Sequence, residues 1–185
     1  TALFTPTNDT TYEIDETAIV SISSVSGADA PESGTQSETI TISADGDAAP
    51  TVTLATSATS ISENAGSSLT LTATLSNATN ADVTVALSTS GTGTEGTDYA
   101  TISDITISAG DTTGTATFTP TDDSVYEGNE TGIVAISTVS GGSATESGNQ
   151  SVTITINENE SAPTVTLSSS ASSIAENAGS SLTLT

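Results

Sequence analysis

The segment TDDSVYEGNETG, residues 121–132, carries the side chains most able to do chemistry. It holds four carboxylates, Asp122, Asp123, Glu127 and Glu130, in a 185-residue chain with 23 acidic residues and no lysine, arginine or histidine. Two carboxylates about 4 Å apart repel each other by about 4 kcal/mol at an effective dielectric constant of about 20. Because no basic side chain can neutralise them, the segment is a solvated acidic loop, a carboxylate pair used in acid–base chemistry, or a site for a bound cation.

The net charge of −23 restricts the partners and reactions of the chain. An acidic surface repels phosphate backbones and anionic lipid headgroups, so we expect no nucleic acid partner; without a long apolar run we expect no membrane insertion. Nucleophile–histidine triads, Schiff-base lysines and arginine clamps are impossible, which leaves only glycosidase-like carboxylate pairs and favours a protein that is not an enzyme. Without cysteine or histidine ligands, the expected metal is Ca²⁺ and not zinc, copper or iron.

The elements that must position these acids are predicted to be β-strands. Stretches such as SLTLTATLS (68–76) and SVTITIN (151–157) alternate apolar and polar residues, as half-buried strands do, and threonine is β-branched and favours strands. We letter the predicted strands A to G: 51–56, 67–76, 82–89, 100–108, 113–120, 131–139 and 149–157. Their number and spacing predict an all-β fold, an immunoglobulin-like antiparallel β-sandwich of about seven strands.

The chain repeats itself at an offset of 114 residues, which falls to 113 after a gap near Ala49. FTPTNDTTYEIDETAIVSIS (4–23) returns as FTPTDDSVYEGNETGIVAIS (118–137), and about two thirds of all aligned positions are identical. We therefore predict the C-terminal part of one repeat at 1–48, a complete repeat at 49–162 and the N-terminal part of the next at 163–185. This organisation indicates a piece of a longer tandem linear array.

The acids of the complete repeat are predicted to gather at one end of the sandwich. In an antiparallel sandwich the A–B, C–D and E–F connections share an end with the exit from strand G. Nine acids fall there: Glu63, Glu95, Asp98, Asp122, Asp123, Glu127, Glu130, Glu158 and Glu160. Three fall at the other end: Asp82, Asp111 and Glu146. A hard cation with six to eight oxygen ligands would relieve the repulsion, and it would lie where one repeat meets the next.

These residues resemble Calx-beta domains, which occur in sodium/calcium exchangers and as repeats in large bacterial surface proteins. The resemblance spans the complete repeat and rests on SISENAGSSLTLTATLS (60–76), GTGTEGTDYA (91–100), ITISAGDTTGTATFTPTDDSVYEGNETGIVAIS (105–137) and VTITINENE (152–160). It implies a calcium-binding β-sandwich. The family's closing run is typically a row of aspartates, whereas this chain has NENE at 157–160.

The resemblance also implies a set of calcium ligands. In the complete repeat they are Glu63, Asp98, Asp122, Asp123, Glu127, Glu130, Glu158 and Glu160, with the backbone carbonyl of Val125. In the first copy they are Asp9, Glu13, Glu16, Asp45 and Asp47, with Asn8 in place of Asp122. In the last copy the candidate is Glu176, the counterpart of Glu63. Tyr12 and Tyr126 occupy equivalent places and are predicted to be packing anchors beside the E–F loop.

Three functions are compatible with this pattern. The first is a calcium-binding segment of a long extracellular stalk, filament or adhesin, on a bacterial surface, in which calcium stiffens each domain and each junction. Its partners would be calcium ions, neighbouring repeats of the same chain and other copies in a filament. The alternative is a calcium-sensing regulatory module, which near-identical tandem copies disfavour. A carbohydrate-binding module is a weaker alternative, because 3 tyrosines and 2 phenylalanines offer little stacking surface.

Overall fold

The structure is a computed structural model that describes residues 1–27, 29, 31–177, 179 and 181–185. Within these residues all regular structure is β, and no helix is long and apolar enough to cross a membrane. The strands are β1 (Glu16–Ser21), β2 (Ser37–Ile42), β3 (Thr51–Thr56), β4 (Ser60–Ser62), β5 (Leu69–Leu75), β6 (Val83–Gly91), β7 (Ile105–Ile107), β8 (Thr113–Phe118), β9 (Glu130–Ser140), β10 (Thr145–Glu146) and β11 (Ser151–Asn157).

Strands β3 to β11 form the predicted β-sandwich. One sheet has the order β10-β3-β5-β8 and the other has the order β4-β11-β9-β6-β7. The predicted strands A to G correspond to β3, β5, β6, β7, β8, β9 and β11. The all-β sandwich predicted from the alternating sequence is confirmed.

Two edge strands pair in parallel, whereas the sequence predicts an antiparallel sandwich. Strand β4 pairs with β11, and β10 pairs with β3, both in parallel. Predicted strand D is also too long, since only Ile105–Ile107 joins the sheet. In the preceding residues, the N–H of Ile102 donates to the carboxylate of Glu95 at 2.8 Å instead of to a neighbouring strand. The Glu95 side chain therefore replaces the backbone hydrogen bond that a paired strand would make at Ile102.

The core lies between the two sheets and follows the alternation of the strands. In β5 every second residue is buried, from Leu69 to Leu75. Tyr99 and Phe118 stack with ring centroids 4.7 Å apart. A Cβ atom at Gly132 would lie 2.7 Å from the Phe118 ring, so the packing of β9 on this pair requires a glycine. Each fully buried large side chain contributes about 1.5–3 kcal/mol.

The two flanking segments reproduce local pairings of the complete repeat. The hairpin of β1 and β2 pairs Glu16 with Ile42, as β9 and β11 pair Glu130 with Ile156. In the last segment an isolated bridge joins Ser169 to Leu184. It is the counterpart of the pairing of Thr56 with Leu71 in the sandwich. The domain boundaries at 48 and 162 stay a prediction.

Candidate metal centre

Backbone hydrogen bonds bring distant acidic loops together at one end of the sandwich. The N–H of Glu63, just after β4, donates to the carbonyl of Asn157 at the end of β11 (3.0 Å). The N–H of Thr121 donates to the carbonyl of Asp98 (2.9 Å), which ties the loop before β7 to the E–F loop, residues 121–129. The parallel pairing of β4 with β11 therefore places Glu63 beside the acids that follow β11.

Seven of the predicted ligands form three groups of carboxylates. Within each group, one oxygen from each residue lies within 4.8 Å of the others. The groups are Glu63 with Glu158 and Glu160, Glu63 with Asp123 and Glu127, and Asp98 with Glu127 and Glu130. Because Glu63 and Glu127 each belong to two groups, the three groups form one continuous acidic cluster.

Burial sets the electrostatics of this cluster. Glu63 is only 9 % exposed. Burial raises its pKa, and the nearby negative charges of Glu158 and Asp123 raise it further. Burial likewise raises the pKa of Glu130 and Glu127, and both feel the charge of Asp98. Without a cation, Glu63, Glu127 and Glu130 therefore hold protons more tightly than free carboxylates do.

Glu158 behaves differently from its neighbours. Backbone N–H groups of Glu160, Glu127 and Gly128 donate to its carboxylate, and they lower its pKa to about 2. Oε2 accepts from Glu127 (2.6 Å) and Gly128 (2.8 Å), and Oε1 accepts from Asn159 and Glu160 (both 2.9 Å). A carboxylate has about four acceptor positions, so Glu158 is fully engaged as a clamp on the E–F loop.

Glu160 provides the test of whether the residues fit a cation. Its hydrogen bond to Glu158 raises its pKa, and burial raises it further. Its Oε2 atom is buried and has no hydrogen-bond partner. A buried carboxylate oxygen without a donor is costly, and a cation would satisfy it. The donor set consists of carboxylate oxygens, which fits Ca²⁺.

Two predicted ligands of the complete repeat lie outside the three groups. The side chain of Asp122 is exposed, although its charge raises the pKa of Glu63 and Glu160. Val125 takes part in the E–F loop through its N–H, which donates to Asp123 Oδ1 at 2.6 Å. These two residues line the cluster without adding a side-chain ligand to it.

The structure does not bring the other predicted ligands into comparable groups. Burial raises the pKa of Glu13, and the charges of Glu16, Asp9, Asp45 and Asp47 add to the rise, so these five acids share one end of the first copy. Within the described residues, however, no three of them converge as the groups of the complete repeat do. Glu176 is exposed and joins none of the groups.

Sequence reasoning assigned Glu95 to the acidic end and missed Asn129. The carboxylate of Glu95 accepts from Thr89 Oγ1 (2.6 Å) and the Ile102 N–H, so it organises the chain locally. Asn129 Oδ1 accepts from the N–H of Glu158 at 3.0 Å. Its counterpart Asp15 accepts from the Ala44 N–H at 2.8 Å. The signal was available, since both copies place a short side-chain acceptor there.

Comparison with known proteins identifies the family. The Calx-beta domain sequence profile matches residues 45–160, well over half of the chain, so the chain belongs to the Calx-beta family. Among solved structures it is similar to the apo-form Calx CBD1 domain, at 16 % sequence identity and a TM-score of 0.48, covering 58 % of this chain and 97 % of that one. No curated protein matches the chain.

Proposed function

We propose that this chain is a calcium-binding structural segment of a long extracellular stalk, filament or adhesin, in which calcium stiffens each repeat and each junction between repeats. The observation that carries the proposal is the cluster of three overlapping carboxylate groups at the end where β11 leaves the sandwich. The chain has no basic side chain that could neutralise it. Membership of the Calx-beta family supports the choice of calcium.

The chain's own residues would hold the ion from three sides. Glu63 comes from the connection after β4, Asp98 from the one before β7, and Glu127 from the E–F loop. Asp123, Glu130 and Glu160 complete the donor set. A bound divalent cation supplies positive charge, which removes the repulsion within the cluster and stabilises the folded state by mass action. A carboxylate cluster used in this way binds and does not catalyse.

We propose an extracellular location on a bacterial surface as part of this role, because calcium is abundant outside cells and weak sites suffice there. Stacked copies would be extended and rigid when calcium is bound, and looser without it. A regulatory module would need affinity near the micromolar range and a large change of shape. A structural segment needs only affinity near the millimolar range.

Calorimetric titration of the full chain with Ca²⁺ tests the proposal, with Mg²⁺ as a second titrant. The decisive variant is Glu63→Gln, because Glu63 belongs to two of the three groups. Its matched control is Asp111→Asn, an exposed acid in the turn before β8. We expect Glu63→Gln to weaken calcium binding at least tenfold and Asp111→Asn to leave it unchanged.

Equal effects of the two variants would contradict the proposed site. Absence of calcium binding to the unsubstituted chain would contradict the proposed function as a whole. Small-angle scattering with calcium and with chelator then separates the two roles: a stalk segment gains length and rigidity at millimolar calcium, whereas micromolar affinity with a large rearrangement would indicate a sensor.

A further inference from the structure

The E–F loop of the first copy contacts the following repeat. The N–H of Tyr12 donates to the carbonyl of Ala78 at 2.8 Å, and the carbonyl of Tyr12 accepts from the N–H of Asn80 at 3.4 Å. Tyr12 and Thr79 therefore form a parallel β-bridge. We call residues 77–80, between β5 and β6, the docking turn.

Side chains of the docking turn reinforce this contact. Asn80 Nδ2 donates to Glu16 Oε1 at 3.2 Å, and Asn77 Nδ2 donates to the carbonyl of Ala48 at 2.8 Å. The docking turn, Asn-Ala-Thr-Asn, contains no acid. It thus presents neutral amide donors to the acidic end of the preceding copy, where a carboxylate would be repelled.

The docking turn is held in place by its own repeat. Thr79 is 1 % exposed, and its carbonyl accepts from the N–H of Gly110 at 2.9 Å. Gly142 packs against it so closely that a Cβ atom there would lie 2.5 Å from Thr79 Cγ2. Two neighbouring turns therefore fix the docking turn independently of the partner it meets.

The complete repeat carries the corresponding loop surface, which no other repeat covers within the described part of the chain. Residues 11–13 are half-buried, whereas their counterparts 125–127 are exposed, with Tyr126 45 % and Val125 57 % exposed. The turn at the start of the loop is the same in both copies. The N–H of Thr11 donates to Asp9 Oδ1 at 2.7 Å, as the N–H of Val125 donates to Asp123 Oδ1 at 2.6 Å.

This difference corrects the prediction for the two tyrosines. Tyr126 is not a packing anchor within its own repeat, because nearly half of it is exposed. Tyr12 is bridged to the next repeat through its backbone. In the first copy, the tyrosine position of the E–F loop therefore lies at the contact with the next repeat.

We propose that the loop surface at residues 125–127 docks onto the docking turn of another copy of this repeat, head to tail, through a backbone bridge at Tyr126. The inference rests on the proposed function only in that copies stack end to end. The bridge is formed by backbone groups at Tyr126 and needs no metal ion, although the neighbouring Glu127 is also a proposed calcium ligand. Between covalently linked copies, a small contact suffices because the effective concentration is high.

Hydrogen exchange on the full chain tests the contact that already exists. Tyr12→Pro removes the N–H that donates to Ala78, and Tyr126→Pro makes the same change in the loop without a partner. We expect Tyr12→Pro to speed exchange of the Asn80 amide at least about fivefold, and Tyr126→Pro to leave it unchanged. Amides of β5 report whether each variant remains folded.

Docking by the second loop is tested in the Tyr12→Pro chain, in which the carbonyl of Ala78 has lost its donor and the backbone edge of the docking turn is available to a second loop. In concentration-dependent NMR spectra, we expect the amides of Val125 and Glu127 to shift in this variant and to stay constant when Tyr126→Pro is added. Unchanged exchange at Asn80, or constant spectra at millimolar concentration, would overturn the inference. Both measurements are made in chelator, so a failure of calcium binding leaves their outcome intact.

Discussion

The E–F loops of the two copies, residues 7–15 and 121–129, have four of nine residues in common and lie in different surroundings. Both form the same turn, in which an aspartate accepts from the N–H two residues later. The second loop faces Glu63, Asp98 and the acids after β11, whereas the first contacts the docking turn of the next repeat. The shared aspartate therefore fixes this turn, and distant segments decide whether the acids of the loop form a cluster.

The clamp at Glu158 is the main local difference between the two copies. The equivalent position in the first copy is Ala44, which has no carboxylate to accept from the loop. The loop itself differs as well: Gly128, with φ of 80°, lies where the first copy has Ile14. A positive φ is easy for glycine and strained for isoleucine. The clamp and the glycine together draw the second loop onto the end of β11.

Calcium removal should separate the two copies most strongly. Calcium at about a hundredfold excess over its Kd would stabilise the complete repeat by about 2.7 kcal/mol, which raises its Tm on the order of 10 °C. Hydrogen exchange should slow at residues 122–130 and change little at 8–16, where no three acids converge. Equal protection of both loops by calcium would contradict the difference between them.

The substitution Gly132→Ala should have the next largest effect on stability. Its Cβ atom would meet the buried Phe118 ring, and overpacking of this kind costs about 1–3 kcal/mol. The first copy already has alanine at the equivalent position, Ala18, where the counterpart of Phe118, Phe4, is 47 % exposed. Thermal unfolding of Gly132→Ala beside Ala18→Gly measures the contrast, and only the former should lower the Tm.

The pH dependence of stability should change sign with calcium. In chelator, the raised pKa values of Glu63, Glu127, Glu130 and Glu160 mean that the folded state binds protons more tightly than the unfolded state. The stability that these four carboxyl groups contribute to the folded state is fully present below pH 4.5, the ordinary pKa of a glutamate. It is lost as the pH rises through their raised pKa values. The Tm should therefore increase as the pH falls from about 7 to about 5.

With saturating calcium, the same pH change should lower the Tm, because protons compete with the ion for these carboxylates. Glu158 acts in the opposite direction, since its pKa is lowered to about 2. Its contribution to the stability of the folded state is present above pH 4.5 and is lost only as the pH falls toward about 2. Glu158 therefore does not change how the Tm varies between about pH 7 and about pH 5. Parallel pH profiles with and without calcium would contradict the assignment.

Glu158→Gln should have the smallest of these effects. The amide keeps one acceptor oxygen but loses the charge that strengthens four N–H contacts, so we expect the Tm in chelator to fall by a few degrees. Exchange should quicken at Glu127 and Gly128 and stay unchanged at Glu13 and Ile14, which lack the clamp. Glu146→Gln is a matched control, because its carboxylate accepts a backbone N–H from Gln150 far from the cluster.

Much of the sandwich was predictable from alternation, and strand A matches β3 at both ends. The short strands β4 and β10 were missed because they pair in parallel with residues almost a whole repeat away. The acidic end was predictable from strand order. The role of Glu158 was not, since a ligand and a clamp have the same side chain and differ only in which N–H groups surround it.

The parallel pairing of β4 with β11 has a mechanical consequence. The chain enters the repeat at β3, beside the docking turn, and leaves it after β11, at the opposite end. A force that pulls these two points apart acts along β11 and draws it past β4 in shear. The hydrogen bonds between the two strands, including those from Glu63 to Asn157 (3.0 Å) and from Thr155 to Thr59 (2.9 Å), then share the load and must break together. The edge that positions Glu63 is thus also the part of the repeat that resists extension.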